Sequence, residues 1–227
     1  MLSFPSLTPV RQRLVDAVVD AARRDPAGLR AALGLTERQS AEVDADAALW
    51  TSPTLPALRR YTGVVYDTLD AASLRGAARR RADASLVVAS ALFGLLRPQD
   101  RVPAYRFSGA TALPGVGGLP PVWRPVLEPE LASAKGVVVD LRSGAYATLA
   151  RVPGAVQVRV LRDVDGRRTV VSHDNKWTKG RLARALCEHG ARSVSDVAEV
   201  ARSCADDVEV DGLRVDLVLH GLASARA

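Results

Sequence analysis

The sequence predicts an α/β fold with α+β character, a central mixed β-sheet wrapped by helices. Three observations carry that prediction. Two short runs, Leu86-Val-Val-Ala-Ser-Ala-Leu92 and Gly136-Val-Val-Val-Asp-Leu141, are apolar almost throughout, as strands buried on both faces are. Between and around them, apolar residues recur every three or four positions, the period of an amphipathic helix. Near the end, apolar stretches flank Asp211-Gly212, a hairpin signal that adds antiparallel pairing to the sheet.

Taken in order, Thr8-Pro9 opens the first helix, with Thr as a cap and Pro in the first turn. Val10, Leu14, Ala17, Val18 and Ala21 form its apolar stripe, and Asp25-Pro26 ends it. Thr36 followed by Gln39 has the spacing of a capping box and opens a helix toward Leu49-Trp50. After Pro53 and Pro56, helix resumes over Leu58 to Tyr66, and a basic helix runs from Ser73 to near Arg81. Leu86 to Leu92 is a strand, and Gly94 to Gly118 reads as one long loop of the kind that is usually functional. Strands follow at 136–141, 156–161 and 169–171, the last two joined by the turn Asp165-Gly166. A helix over Asp174 to Glu188 stops at Gly190, and Ser193 caps another through Arg202. Strands at 208–210 and 213–219 close the chain. No shift in composition marks a second domain, so residues 1–227 are expected to form one: helix-rich over 8–83, a sheet core over 84–172, and a basic helical element with closing hairpin over 173–220.

The charge balance narrows the partners. Lys and Arg number 31 against 25 Asp and Glu, a net +6 with a pI near 9.9, which permits a polyanionic partner. One basic run holds Arg75, Arg79, Arg80 and Arg81, and reads first as a solvated helix face. A second, from Arg159 to Arg184, includes Arg162, Arg167, Arg168, Lys176, Lys179 and Arg181. Two cysteines are too few for a disulfide framework or a zinc site, and both read as buried thiols. No apolar stretch approaches a membrane span and no signal peptide is visible, so the expected compartment is the cytoplasm, without a membrane partner.

Two segments carry candidate chemistry. The first is the loop Ser90 to Arg106, just past a buried strand, where α/β folds place ligands. Gly94 allows a tight turn or close approach, Arg97 and Asp100 can pair, and Tyr105-Arg106 sets a planar group beside a fork of donors. The second is Val171 to Arg184, which leaves a strand at Ser172-His173 and enters a helix. Lys176, Lys179, Gly180 and Arg184 are three or four residues apart and share one helical face, with Arg181 off it. Basic groups at a helix N-terminus form an anion site, and Trp177 either stacks on a base or anchors the helix in the core. Gly180 inside a helix costs ~1 kcal/mol relative to Ala, which points to a close neighbour. His173 is a candidate general base or a hydrogen-bonded structural residue.

These segments resemble the YaaA family of bacterial peroxide-stress proteins. Tyr61-Thr-Gly-Val-Val-Tyr-Asp-Thr-Leu-Asp70 is similar to the family's Y-x-G-x-x-Y-x-x-L-D stretch. Ser90 to Arg106 is similar to S-x-L-x-G-L-L-R-P-x-D-x-x-x-x-Y-R, the most specific of the matches, and Ser172 to Gly180 to S-H-x-x-K-x-x-K/R-G. Asp140 to Tyr146 stands where the family has a strand and a Tyr-bearing loop. The resemblance spans roughly residues 5 to 220. It implies a central sheet wrapped by helices, a helix-hairpin-helix-like element around Lys176 to Arg202, DNA binding, and a role in limiting iron-driven oxidative damage. It also implies an apolar strand and a short Ser- and Lys-bearing stretch ahead of Phe4-Pro5; here Met1 stands almost directly before that region, so either the chain start is late or this member lacks part of the cleft, and an apolar sheet edge left open is expected.

The resulting expectation is a DNA-binding protein of the peroxide-stress response with little sequence preference, its partner duplex or structured DNA. Ser172, His173, Lys176, Lys179, Gly180, Arg181 and Arg184 form the nucleic-acid site. Ser90, Gly94, Arg97, Asp100, Tyr105 and Arg106 form a cleft. The alternative is an enzyme acting on a nucleotide or nucleobase-like substrate in that cleft. No catalytic set, cofactor, metal cluster or oligomeric state is legible, and binding is favoured over catalysis.

Overall fold

A computed structural model describes residues 1–170 and 172–221, the side chains of 172–174 excepted. In chain order the helices are α1 (Thr8–Arg24), α2 (Pro26–Ala32), α3 (Ser40–Ala47), α4 (Ala57–Arg60), α5 (Val64–Leu69), α6 (Gly76–Ser85), α7 (Pro120–Ala132), α8 (Gly144–Ala147), α9 (Ser172–His189) and α10 (Val194–Ala201). The strands are β1 (Thr54–Pro56), β2 (Val88–Ser90), β3 (Gly94–Leu96), β4 (Arg101–Pro103), β5 (Ala112–Leu113), β6 (Gly117–Gly118), β7 (Val139–Asp140), β8 (Val156–Val164), β9 (Arg167–Val170), β10 (Asp207–Asp211) and β11 (Arg214–His220). The fold is α/β, and its contacts divide the chain into two compact units.

The first unit takes residues 1–60, 86–133 and 142–153. It holds α1–α4, α7 and α8 with three two-stranded antiparallel ribbons, β1–β4, β2–β3 and β5–β6. The apolar run 86–92 is not one buried strand. It turns back on itself because the Ser90 hydroxyl accepts from the Phe93 amide at 2.9 Å and Gly94 takes a positive φ of 69°. A β-carbon at Gly94 would lie 2.8 Å from the Trp123 ring, so only glycine fits. Arg11, buried on α1, fixes the same ribbon by donating to the Phe93 and Leu95 carbonyls at 2.8 and 2.7 Å. The segment expected as a single loop over 94–118 contains β3 to β6, each too short to show a strand period.

The second unit takes residues 61–85, 134–141 and 154–227. Its five-stranded mixed sheet runs β10-β11-β8-β7, with β9 also on β8. β8 is parallel to β7 and β11, whereas the two hairpins β8–β9 and β10–β11 are antiparallel. Both hairpins fall at the Asp-Gly turns expected from sequence, with Gly166 and Gly212 at positive φ. One sheet face packs Val156, Val158, Val160, Val215 and Leu217 against Leu182 and Ala185 of α9 and Val197 and Ala201 of α10. The apolar run 136–141 contributes only Val139 and Asp140 to the ladder.

Other boundaries moved for local reasons. Thr8 is the first helical residue, not a side-chain cap. The helix expected over 58–66 breaks into α4 and α5, because Gly63 adopts φ 104°. The basic helix starts at Gly76 rather than Ser73 and continues to Ser85. α7 was not foreseen, since Pro125 and Pro129 inside it interrupt the helical signal.

Candidate nucleic-acid interface

Helix α9 starts where the sequence places it and ends at His189 before Gly190, whose φ is 77°. The face shared by Lys179, Gly180 and Arg184 is not a solvent face. It lies against α5 in the second unit. A β-carbon on Gly180 would stand 2.7 Å from both the Val65 carbonyl oxygen and Thr68 Cβ, which explains the glycine. Arg184 donates to the Leu69 carbonyl at 3.1 Å, the Asp70 carbonyl at 3.2 Å and Ser73 Oγ at 2.8 Å, and pairs with Glu188 at 2.9 Å. It therefore closes the C-terminal end of α5, where carbonyls lack helical partners. Lys179 is buried to 9% exposure. Burial lowers its pKa, an effect that the Asp140 carboxylate partly opposes.

What remains open to solvent on α9 is narrower. Lys176 is exposed. Trp177 is 43% exposed, and the Arg181 guanidinium lies over its ring, 4.9 Å from the centroid, while donating to the Ser203 carbonyl at 2.6 Å. The side chains of Ser172 and His173 lie outside the described residues. The Ser193 hydroxyl accepts from the Asp196 amide at 3.1 Å and so caps α10, as its sequence position predicts.

Much of the basic run over 159–184 is matched by acids. Arg159 makes a two-pronged contact with Asp216, and Arg168 bonds Glu209 at 2.7 and 2.8 Å and Asp163 at 3.2 Å. These partners hold the Asp216 and Glu209 carboxyls below the ordinary carboxylate range. In the earlier run, Arg79 pairs with Asp83 at 2.8 Å, and Arg81 donates to the Cys187 and Glu188 carbonyls at the end of α9. Counting cations along the chain therefore overstates the cationic surface.

In the first unit the 90–106 segment forms an internally bonded cluster. Ser90 Oγ lies 2.6 Å from the Tyr105 hydroxyl, and Tyr105 stands edge-on to Phe93 at 5.3 Å. Asp100, 8% exposed, accepts from the amide and hydroxyl of Ser3 at 3.0 and 2.9 Å and from the Arg97 amide at 2.8 Å. The Arg97 guanidinium sits over the Phe4 ring. Ser90, Gly94 and Asp100 thus have structural tasks that account for their identities. The Arg106 amide donates to Asp46 Oδ1 at 3.1 Å. Asp46 was not read from the sequence. It is fully buried, its Oδ2 has no hydrogen-bond partner among the described residues, and burial pushes its pKa up to about 7. The signal was its place three residues after buried Val43 on α3, where an apolar residue is expected.

Among the described residues, no group of three His, Cys, Asp or Glu is placed to hold a metal, and no helix is long and apolar enough to cross a membrane.

Fold and site together define an α/β protein whose mixed sheet carries a helix presenting Lys176 and a Trp177–Arg181 stack. The family model described as "Peroxide stress protein YaaA" matches residues 4–204, and the chain belongs to that family. A UPF0246 protein of Corynebacterium efficiens is 42% identical over 217 residues, which is 92% of this chain and 86% of that one. A UPF0246 protein of Corynebacterium glutamicum is 44% identical over 215 residues, covering 92% and 85%. One from Streptomyces coelicolor is 42% identical over 220 residues, covering 92% and 84%.

Proposed function

We propose that this peroxide-stress protein binds nucleic acid through the exposed side of α9, with Lys176, Trp177 and Arg181 as the contact residues. The observation that carries the reading is the exposed indole of Trp177 under the Arg181 guanidinium. An indole left 43% in water while a cation lies on one side offers a platform for a base and a charge for its phosphate. Lys176 adds a second phosphate contact beside it. The α9–α10 pair with its short connection over 190–193 is our reading of the helix-hairpin-helix-like element. No residue in this patch is set to read a base edge, so sequence preference is weak and phosphate contacts dominate.

The test uses tryptophan fluorescence in a Trp50→Phe background, where Trp177 is the remaining exposed indole and Trp123 stays buried. Adding a single-stranded or bulged duplex oligonucleotide should quench the signal saturably, and Trp177→Phe should abolish the quench. An unchanged spectrum at saturating oligonucleotide contradicts the reading.

A further inference from the structure

One buried carboxyl fixes the end of the 90–106 cluster. Residues 104–107 lie in no helix or strand. They carry Tyr105, whose hydroxyl reaches Ser90, and Arg106, whose side chain is exposed. The Arg106 amide ties this segment to α3 by donating to Asp46 Oδ1 at 3.1 Å. Asp46 is fully buried, and its Oδ2 has no hydrogen-bond partner among the described residues. All of these residues belong to the first unit.

A neutral carboxyl suits this site better than a charged one. A carboxylate offers about four lone-pair sites, and the Arg106 amide fills a single one. The charged groups on the elements packed against α3 are engaged elsewhere. On α1, Arg11 donates to the Phe93 and Leu95 carbonyls, Arg23 donates to the Ala47 carbonyl at 3.1 Å, and Asp16 accepts from the Trp50 indole at 2.9 Å. Asp20 and Arg24 pair with each other at 3.6 Å. Arg30 of α2 pairs with Glu37 of the turn 37–39 at 3.6 Å, and Asp25 caps α2. Arg13, Arg38 and Asp44 face solvent. Glu42, one turn before Asp46 on α3, adds repulsion. Burial is the largest effect and raises the Asp46 pKa to about 7, outweighing the Arg106 amide, which acts the other way.

We infer that Asp46 is a proton-operated latch on the segment that presents Tyr105 and Arg106. With its proton on, the carboxyl stays buried and holds the Arg106 amide. When the proton leaves for solvent, the buried anion needs water or further donors. It gains them by parting α3 from residues 104–107. Once hydrated, the carboxyl returns toward its ordinary value of 3.8. The folded value is the raised one, so the latch is fully closed below pH ~4 and loses its hold as pH rises. The opening equilibrium grows about tenfold per pH unit up to pH ~7 and then levels off. The latch acts on the 90–106 cluster and does not rest on the nucleic-acid reading of α9.

The experiment is amide hydrogen exchange by NMR on the full chain between pH ~5 and ~8, each rate being divided by its intrinsic value at that pH. The Arg106 amide should lose protection about tenfold per pH unit up to pH ~7 and then hold level. Amides of α7, in the same unit, should not follow it. Asp46→Asn keeps the acceptor, cannot ionise, and should leave the Arg106 profile flat. If Asp46→Asn does not fold, the contrast between Arg106 and α7 in the unaltered chain decides. An equal loss in α7 means unfolding of the whole unit and overturns the latch. A flat Arg106 profile in the unaltered chain, or a loss that survives in Asp46→Asn, overturns it as well.

Discussion

Gly180 of α9 lies so close to Val65 of α5 that a β-carbon would stand 2.7 Å from the Val65 carbonyl oxygen. Two effects oppose each other at this position. Alanine is the better helix former by ~1 kcal/mol, whereas forcing an atom against a backbone carbonyl costs about 1–3 kcal/mol. Backbone cannot rotate away as a side chain can, so the clash wins. Gly180→Ala is expected to lower the midpoint of urea denaturation despite its helical preference.

Arg184 is expected to contribute stability rather than affinity. Its guanidinium holds two carbonyls and a hydroxyl at the end of α5. Losing charged hydrogen bonds costs about 1.5–3 kcal/mol, toward the lower end here because the side chain is 30% exposed. Arg184→Ala should lower the denaturation midpoint yet leave oligonucleotide affinity within twofold while the chain is folded. Lysine should rescue little, since one ammonium cannot span the same acceptors.

Asp46 makes stability depend on pH. Its folded pKa, raised to about 7 by burial, exceeds the ordinary aspartate value of 3.8. The unfolded chain therefore ionises first as pH rises. The neutral carboxyl's contribution is complete below pH ~4 and is lost progressively up to pH ~7. Asp46→Asn keeps an acceptor for the Arg106 amide and removes the charge. It should raise thermal stability at pH 8, leave it little changed at pH 4, and flatten the profile between.

The thiols should not serve as peroxide sensors. Cys187 is buried, and burial pushes its pKa up to about 11, away from the reactive thiolate. Cys204 is buried as well. Mass spectrometry after peroxide or iodoacetamide treatment of the native chain should find Cys187 unmodified, with rapid modification after denaturation. Cys187→Ser should leave oligonucleotide binding unchanged.

Much of the second unit was legible because its signals are local. Asp165-Gly166 and Asp211-Gly212 needed left-handed turn residues, and Ser193 and Gly190 carry their own caps and stops. The first unit was less legible. A hairpin of three-residue strands, such as β2–β3, has no period to detect, and the Trp123 ring that leaves no room for a side chain at Gly94 comes from roughly thirty positions away. The site showed the same division. Spacing put Lys176, Lys179, Gly180 and Arg184 on one face of α9, yet Lys176 is exposed, Lys179 and Gly180 are buried and Arg184 is half-buried. Which way that face points depends on α5, more than a hundred residues earlier, and α5 occupies it. Gly180 gave a true warning, since a helix-interior glycine asked for a close neighbour. Trp177, left open between base stacking and core anchoring, proved exposed. The ion pairs that neutralise Arg159 and Arg168 join strands, so composition alone could not subtract them.

The most direct test of the nucleic-acid assignment is equilibrium binding of a fluorescein-labelled duplex across a salt series, comparing the unaltered chain with Lys176→Ala and with Lys176→Ala/Trp177→Ala. Affinity of the unaltered chain should fall steeply with salt. Lys176→Ala should flatten the slope of log K against log salt by about 0.9, the value for one lost phosphate contact. Adding Trp177→Ala should weaken binding further by a factor nearly independent of salt, corresponding to roughly 1–3 kcal/mol of lost stacking. Absence of binding by the unaltered chain at low salt, or a double variant that keeps both affinity and slope, would contradict the assignment.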